Sequence, residues 1–470
     1  MIAKQITRNF LSLFLSNVIG QLFTLWAFIH IASVFGPEGF GKFSFAQVVA
    51  LYFLYLADFG LQTLGTRTVA QERGEMRRYV WHITVLRIGL AVTSFVLLLI
   101  FVALLPESED TKQLLIVFGL AFLPSALLLE WVFQGIEQME YVALGRVLKG
   151  MIFAGLVFFF VNTPEHLYHA AAFYVAGIVA ASAILLWIYV QKFGLPAWKL
   201  SAAPLMNTLR AAAPLAAGSF ITQINYNFGT VALGLLLTNV DVGLFSAAYK
   251  VVLFLWAFAA VAAANAVFPL MAKSYKQSVT LFSDSLKNFL RVFVFAAIPV
   301  GIGGSILASQ IMEFLYTPEY QKAVIVFQLS IWTVVIVIYR MVFENALVAK
   351  NSQRRYFQGY VLAGLVTILG NLLLIPVLGF VAPSIVGIVS ESTLLAYFIA
   401  SCKFIRPSYV LKLTVKPLAA GSLMGLALWF LPLNLFVMLA IGIVLYFVFL
   451  VAIRALTLEE VTTYVHSLVR

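Results

Sequence analysis

Apolar segments of about 20 residues recur from one end of the sequence to the other, and this limits the fold more than any other feature. A segment of that length crosses a bilayer as an α-helix. Because 63% of the 470 residues are hydrophobic and only 10% are charged, polar residues are too few to cover a soluble domain of this size. We therefore predict an all-α integral membrane protein with about fourteen transmembrane helices. The predicted spans are 10–34, 43–66, 80–105, 113–133, 147–162, 167–190, 211–238, 244–268, 287–310, 321–348, 357–376, 383–403, 416–431 and 434–454.

Basic residues indicate the orientation of these spans. An even number of spans places both termini on one side, and all but five of the 30 Lys and Arg residues then lie on or near that side. The positive-inside rule predicts that this side is cytoplasmic. Four of the five exceptions are expected on the opposite side and Arg340 within a span; the four are Lys42, Lys112, Lys250 and Lys322. The net charge of +11 is thus a topology signal that also favours anionic lipid, and we expect no nucleic-acid partner.

The sequence contains an internal repeat that relates spans 1–6 to spans 7–12. Three ungapped matches follow one another in order: Gly41–Ala46 with Gly243–Ala248, Leu86–Ile88 with Leu290–Val292, and Gly150–Val157 with Gly359–Val366. Six spans per half give both halves the same orientation, which is a transporter architecture with the substrate path at the repeat interface. We predict six-helix bundles at 1–200 and 201–405, with Gly41–Ala46 as an outer turn. An extra transmembrane hairpin and a short surface helix, opened by a capping box at Thr457, would occupy 406–470.

Five short motifs stand out along the chain: Gly36–Ser44 (GPEGFGKFS), Ala57–Gly60 (ADFG), Gly65–Arg67 (GTR), Glu130–Tyr141 (EWVFQGIEQMEY) and Phe314–Tyr320 (FLYTPEY). They resemble motifs of bacterial polysaccharide flippases of the Wzx type, in the multidrug/oligosaccharidyl-lipid/polysaccharide (MOP) exporter superfamily. The resemblance covers the whole length. It implies two six-helix bundles around a central cavity, and alternating-access transport of undecaprenyl-diphosphate-linked oligosaccharide to the outer leaflet of the bacterial inner membrane, with coupling to an ion gradient.

Other functions remain open at this point. An ion-driven exporter of drugs or amphiphiles would have the same fold. A membrane-embedded polymerase or glycosyltransferase is less favoured, because the outer loops are short. No Walker loop, metal-spaced His/Cys cluster or nucleophile elbow is present, so we predict neither a cofactor nor enzymatic activity. Expected partners are the lipid-linked substrate, membrane lipids, and the polymerase and chain-length proteins of the same pathway.

Arginines are the candidate ligands of a diphosphate head, because the guanidinium group binds phosphate oxygens bidentately and stays charged when buried. Arg87 and Arg291 are repeat-related and lie inside spans 3 and 9; the alternative for both is snorkelling to the inner interface. Arg146 and Arg355 are also repeat-related but lie at the starts of spans, where anchoring to the inner leaflet is the alternative.

Acidic residues within spans are candidates for ion coupling or gating. Asp58 lies at a depth similar to that of Arg87, which predicts an ion pair that the substrate could release. Arg340 and Glu344 share a helix face, so an intrahelical ion pair is the alternative to a coupling role. Glu391 is a candidate proton site, or else pairs with an arginine of another span.

Amide side chains of spans 1 and 7 are candidate contacts for the glycan, with interhelical hydrogen bonding as the alternative. Gln21 and Gln223 coincide in the repeat. The full set is Asn17, Gln21, Gln223, Asn225 and Asn227.

Overall fold

The computed structural model describes residues 2–195, 202–262, 267–431 and 433–456, with side chains from residue 16 onward except at 202–204 and 259–262. The capping box predicted at Thr457 lies outside the described residues. Within these ranges the regular structure is helical throughout, with eighteen α-helices and no strand. The prediction of an all-α protein is confirmed.

The first nine helices run to the middle of the chain. They are α1 (Ile2–Asp58), α2 (Leu61–Gln71), α3 (Met76–Leu104), α4 (Glu109–Gly119), α5 (Phe122–Leu127), α6 (Glu130–Gly135), α7 (Met139–Phe160), α8 (Leu167–Phe193) and α9 (Ala202–Leu236).

The other nine follow. They are α10 (Asn239–Ala262), α11 (Phe268–Gln277), α12 (Val279–Ile306), α13 (Ala308–Leu315), α14 (Val324–Ala349), α15 (Gln353–Leu378), α16 (Ala382–Cys402), α17 (Pro407–Trp429) and α18 (Leu435–Ala452).

Helix lengths agree with a multi-pass membrane protein. By length and composition, eleven helical segments of the described chain could cross a membrane. Two of them, Ser16–Gln71 with 56 residues and Gln353–Cys402 with 50, are each long enough for two spans of about 20 residues. Most residues of the fourteen predicted spans are helical in the part of the chain that the structure describes.

The long helix α1 is two helices joined at a kink. Gly36 has φ 64° and ψ −177°, a backbone conformation that a residue without Cβ adopts without strain. Pro37 follows at the start of the second segment, where its fixed φ and missing N–H are tolerated. The predicted outer turn at Gly41–Ala46 is therefore wrong: these residues are helical, and the turn is at Gly36. Helix α1 ends at Asp58. Phe59 and Gly60, both with positive φ, separate it from α2.

Predicted span 4 is broken into three short helices, α4 to α6. Leu128, between α5 and α6, has φ −71° and ψ 110°, so the helical hydrogen-bond ladder stops there. A break of this kind leaves main-chain carbonyl groups that need other donors, and in a membrane-embedded protein those donors come from neighbouring helices.

The chain packs as two compact units. The first comprises Met1–Lys250 and Thr367–Pro383, and the second Val251–Val366 and Ser384–Arg470. In the first unit an apolar core around Trp131 and Tyr189 joins α2, α3, α6, α7 and α8. In the second, α12 buries a stripe with helical spacing at Leu286, Leu290 and Val294, and this helix packs on α14 and α17. The division at 200 and 405, drawn from the sequence repeat, remains a prediction.

Candidate functional site

Arg87 is enclosed in the first unit and bound on three sides. It is 2% exposed. Its Nε lies 3.3 Å from Asp58 Oδ1, so the predicted ion pair is present. Its Nη2 donates to the carbonyl oxygen of Ser125 at 2.6 Å, and its Nη1 donates to that of Leu128 at 3.1 Å. The Leu128 carbonyl lies at the break between α5 and α6, and the Ser125 carbonyl also accepts from Leu128 N–H at 3.2 Å, so Arg87 ties the broken span to the end of α1.

Arg146 links three helices of the same unit. From α7, its Nε donates to Glu130 Oε2 at 3.1 Å on α6, and its Nη1 donates to Asn17 Oδ1 at 2.8 Å on α1. The Arg146 side chain remains 31% exposed. Arg146 is therefore held by two side chains and, unlike that of Arg87, its side chain is partly exposed. The structure brings together a predicted diphosphate ligand and a predicted glycan ligand, Asn17.

The repeat-related arginines of the second unit have main-chain partners. Arg291 Nη2 donates to the carbonyl oxygen of Ala455 at 3.2 Å, and its guanidinium lies 5.6 Å from the ring centre of Phe295. Arg355 Nη1 donates to the carbonyl oxygen of Ser401 at 2.8 Å, at the end of α16. Both side chains are half-buried.

The amides of α9 have hydrogen-bond partners on α9 and on Thr367. Asn227 Nδ2 donates to Gln223 Oε1 at 2.7 Å, one turn away, and Asn225 Nδ2 donates to the carbonyl oxygen of Ile221 at 3.0 Å. Asn225 Oδ1 also accepts from the Thr367 hydroxyl at 3.4 Å. Gln21 is half-buried on α1, and no hydrogen bond between it and Gln223 occurs within the described residues.

The second unit holds a buried cluster of one base and two acids. Arg340, 1% exposed, donates from Nε to Glu391 Oε2 at 2.8 Å and from Nη1 to Glu344 Oε2. The Tyr360 hydroxyl accepts from Arg340 Nη1 at 2.8 Å and donates to Glu344 Oε1 at 3.2 Å. Both predicted alternatives are present together: the intrahelical pair with Glu344 and the pairing of Glu391 with an arginine of another helix. With both carboxylates ionised, the cluster carries one negative charge in excess.

One half-buried cation within a helix was not expected from the sequence, which predicted Lys250 at the outer side. The structure begins α10 at Asn239, so Lys250 lies about 16 Å along the helix, a distance of about half the thickness of a hydrocarbon core of about 30 Å. Its position six residues inside predicted span 8 was the available signal. Its Nζ donates to Gln47 Oε1 at 2.8 Å and lies 3.8 Å from the ring centre of Phe28.

Two repeat-related glycines bring α1 and α10 into backbone contact. A Cβ on Gly41 would lie 1.7 Å from the carbonyl oxygen of Asn239, and a Cβ on Gly243 would lie 1.8 Å from that of Pro37. The offset that aligns Gly41 with Gly243 also aligns Pro37 with Asn239. Each contact is therefore the image of the other, which is the signature of a local two-fold axis between the glycines.

Comparison with known proteins finds a matching family and a similar protein. A family described as "Polysaccharide biosynthesis protein" matches residues 6–275. A protein of Escherichia coli (strain K12) described as "Putative O-antigen transporter" is 26% identical over 186 residues, which are 38% of this chain and 45% of that relative. The match thus spans less than half the length of that relative.

Solved structures show the same fold at low sequence identity. A structure titled "Lipid II flippase MurJ, inward closed conformation" matches with a TM-score of 0.77 and 12% identity, covering 94% of this chain and 98% of the other. An inward-facing multidrug resistance MATE family transporter of the MOP superfamily matches with a TM-score of 0.67 and 13% identity, covering 84% and 96%. The fold expected from the resemblance is confirmed, and these similar proteins are described as transporters or flippases rather than as enzymes.

Proposed function

Because the chain belongs to the family of polysaccharide biosynthesis proteins, we propose that it carries undecaprenyl-diphosphate-linked oligosaccharide from the inner to the outer leaflet of the bacterial cytoplasmic membrane. The family match carries this proposal. The relative described as an O-antigen transporter and the fold shared with a lipid II flippase support it. Both termini would be cytoplasmic, as the distribution of Lys and Arg predicts. Membrane lipids surround the chain, and the polymerase and chain-length proteins of the same pathway are the proposed partners.

In this proposal the arginines divide into two roles. Arg146, with a partly exposed side chain, and Arg291, which is half-buried, are each candidate ligands of the diphosphate, and Arg355 is a candidate beside the inner leaflet. Arg87 would contribute only after release from Asp58 and from two main-chain carbonyls, so its contact with Asp58 would act as a gate. The amide groups of Asn17, Gln21, Gln223, Asn225 and Asn227 would bind sugar hydroxyls.

The cluster of Arg340, Glu344 and Glu391 is the proposed coupling site. A second carboxylate on one guanidinium leaves a net negative charge in a buried setting, which favours uptake of a proton or a metal cation. Binding and release of that ion during alternating access would drive the cycle. The six-helix bundles at 1–200 and 201–405, with 406–470 as an accessory hairpin, remain the proposed functional division.

An ion-driven exporter of drugs or amphiphiles is the second candidate, because the fold is shared with MATE family transporters. Reconstitution distinguishes the two. Vesicles containing the protein and a fluorescent undecaprenyl-diphosphate oligosaccharide should expose the glycan to a membrane-impermeant lectin, and a pH or sodium gradient should accelerate exposure. Lack of any protein-dependent exposure, with gradient-driven transport of cationic dyes instead, would favour the exporter.

A further inference from the structure

The contacts of Lys250 leave hydrogen-bond donors of its ammonium group available. An ammonium group has three donors. One is used by Gln47 Oε1, and the Phe28 ring, at 3.8 Å, and the Phe40 ring, at 5.9 Å, offer only their faces. Within the described residues no carboxylate lies at ion-pair distance from Lys250. A neutral amide and two rings do not neutralise a unit charge at this depth, so the site favours an anion.

The position of Lys250 follows from the glycine contact between α1 and α10. Backbones touch at Gly41 and Gly243, and Gln47 and Lys250 lie six and seven residues further along their helices, about 10 Å away. Crossing helices separate with distance from the crossing point, and two long side chains bridge the gap at this position. Lys250 and Gln47 are half-buried, whereas Ser246, Ala247 and Ala248 before Lys250 are buried. Lys250 therefore lies at a partly exposed edge of the contact between the two helices.

We propose that Lys250 is a binding residue for the diphosphate head of the isoprenoid lipid substrate, with Gln47 holding the ammonium group when the head is absent. This inference rests on the proposed function and adds a residue near mid-membrane to the arginines on the cytoplasmic side. Phosphate oxygens take the two remaining donors of the ammonium group and supply the charge that Gln47 lacks.

Binding of a defined probe tests this assignment. Purified full-length protein is titrated with geranylgeranyl diphosphate, with geranylgeraniol and inorganic pyrophosphate as separate arms. Lys250→Gln should weaken binding of the lipid diphosphate about tenfold, the size of one lost charge-assisted hydrogen bond. Lys250→Arg should retain wild-type affinity. The control Lys112→Gln removes a lysine of the same charge that is paired with Glu109 near the start of α4, and should change nothing.

Gln47→Leu gives a second measurement that keeps the lysine. Removal of the competing acceptor should raise the affinity for geranylgeranyl diphosphate a few-fold, so unchanged or weaker binding would contradict the proposal. Equal affinity of wild type and Lys250→Gln would overturn it. Pyrophosphate that binds as tightly as the lipid would overturn the assignment to a lipid head. If wild type flips lipid-linked glycan while Lys250→Gln keeps full affinity, this inference fails and the proposed function stands; if wild type moves no such lipid, the proposed function itself fails.

Discussion

Replacement of Arg340 by methionine tests the charge balance of the cluster in the second unit. The guanidinium is 1% exposed and bound to two carboxylates and a tyrosine hydroxyl. Its loss leaves Glu391 and Glu344 without a cation in a buried site. Loss of one partner of a buried ion pair costs about 3–5 kcal/mol. We therefore expect Arg340→Met to lower the free energy of unfolding by about that amount.

Removal of one carboxylate charge from the same cluster should lower the free energy of unfolding far less. Glu391→Gln keeps an oxygen that can accept from Arg340 Nε at the same place, and it leaves the guanidinium paired one-to-one with Glu344. Since the removed charge is the one in excess, we expect destabilisation of about 1 kcal/mol or less. Arg354→Met, at an exposed position of the next helix, is the control for loss of an arginine and should fall within about 0.5 kcal/mol of wild type.

Unfolding of purified protein in mixed micelles by increasing SDS, followed by far-UV circular dichroism, measures these differences. The expected order of stability is wild type and Arg354→Met, then Glu391→Gln slightly below, then Arg340→Met far below. If Glu391→Gln is as destabilising as Arg340→Met, the cluster has no excess negative charge, and the coupling role proposed for it loses its physical basis.

Three further predictions concern contacts in the first unit and the transport cycle. Gly41→Ala should destabilise by about 1–3 kcal/mol or prevent folding, because its Cβ would lie 1.7 Å from a carbonyl oxygen; Gly218→Ala, where no atom lies within 4 Å, should be neutral by the same unfolding assay. Arg87→Ala should abolish glycan exposure in vesicles while membrane insertion persists, and the loss of its ion pair and two hydrogen bonds should lower the free energy of unfolding by about 3–5 kcal/mol. Arg291→Ala should also abolish glycan exposure. Normal glycan export by either variant would contradict this prediction. Glu391→Gln should remove the dependence of flipping rate on a pH gradient, and an unchanged dependence would exclude Glu391 as the proton site.

Helix number and type could be predicted because they follow from local composition. Segments about 20 residues long and almost free of charge leave few folds other than a membrane helix bundle. The ion pair of Asp58 and Arg87 was also predictable, since antiparallel neighbouring spans set two charges at similar depth. The partner of Glu391 could not be identified from sequence spacing, because Arg340 lies on another helix and only the packing of the two helices brings them together.

Breaks within helices were the main features that composition could not reveal. Hydropathy treats 113–133 as one span, yet the backbone turns at Leu128, whose carbonyl oxygen accepts a hydrogen bond from Arg87. The outer turn was placed at Gly41–Ala46 because that stretch recurs in the repeat, but its glycine serves close helix contact rather than chain reversal. The recurrence of the motif thus indicated a structural role common to both halves, but it did not show whether that role was a turn or a helix contact.

Flipping of a defined lipid-linked glycan tests the central proposal most directly. Proteoliposomes containing the purified chain and a fluorescent undecaprenyl-diphosphate oligosaccharide in one leaflet are exposed to an impermeant quencher, and the quenched fraction is followed over time. We expect protein-dependent transfer that accelerates with an ion gradient and is lost in Arg87→Ala. Transfer no faster than in protein-free vesicles, with or without a gradient, would contradict it.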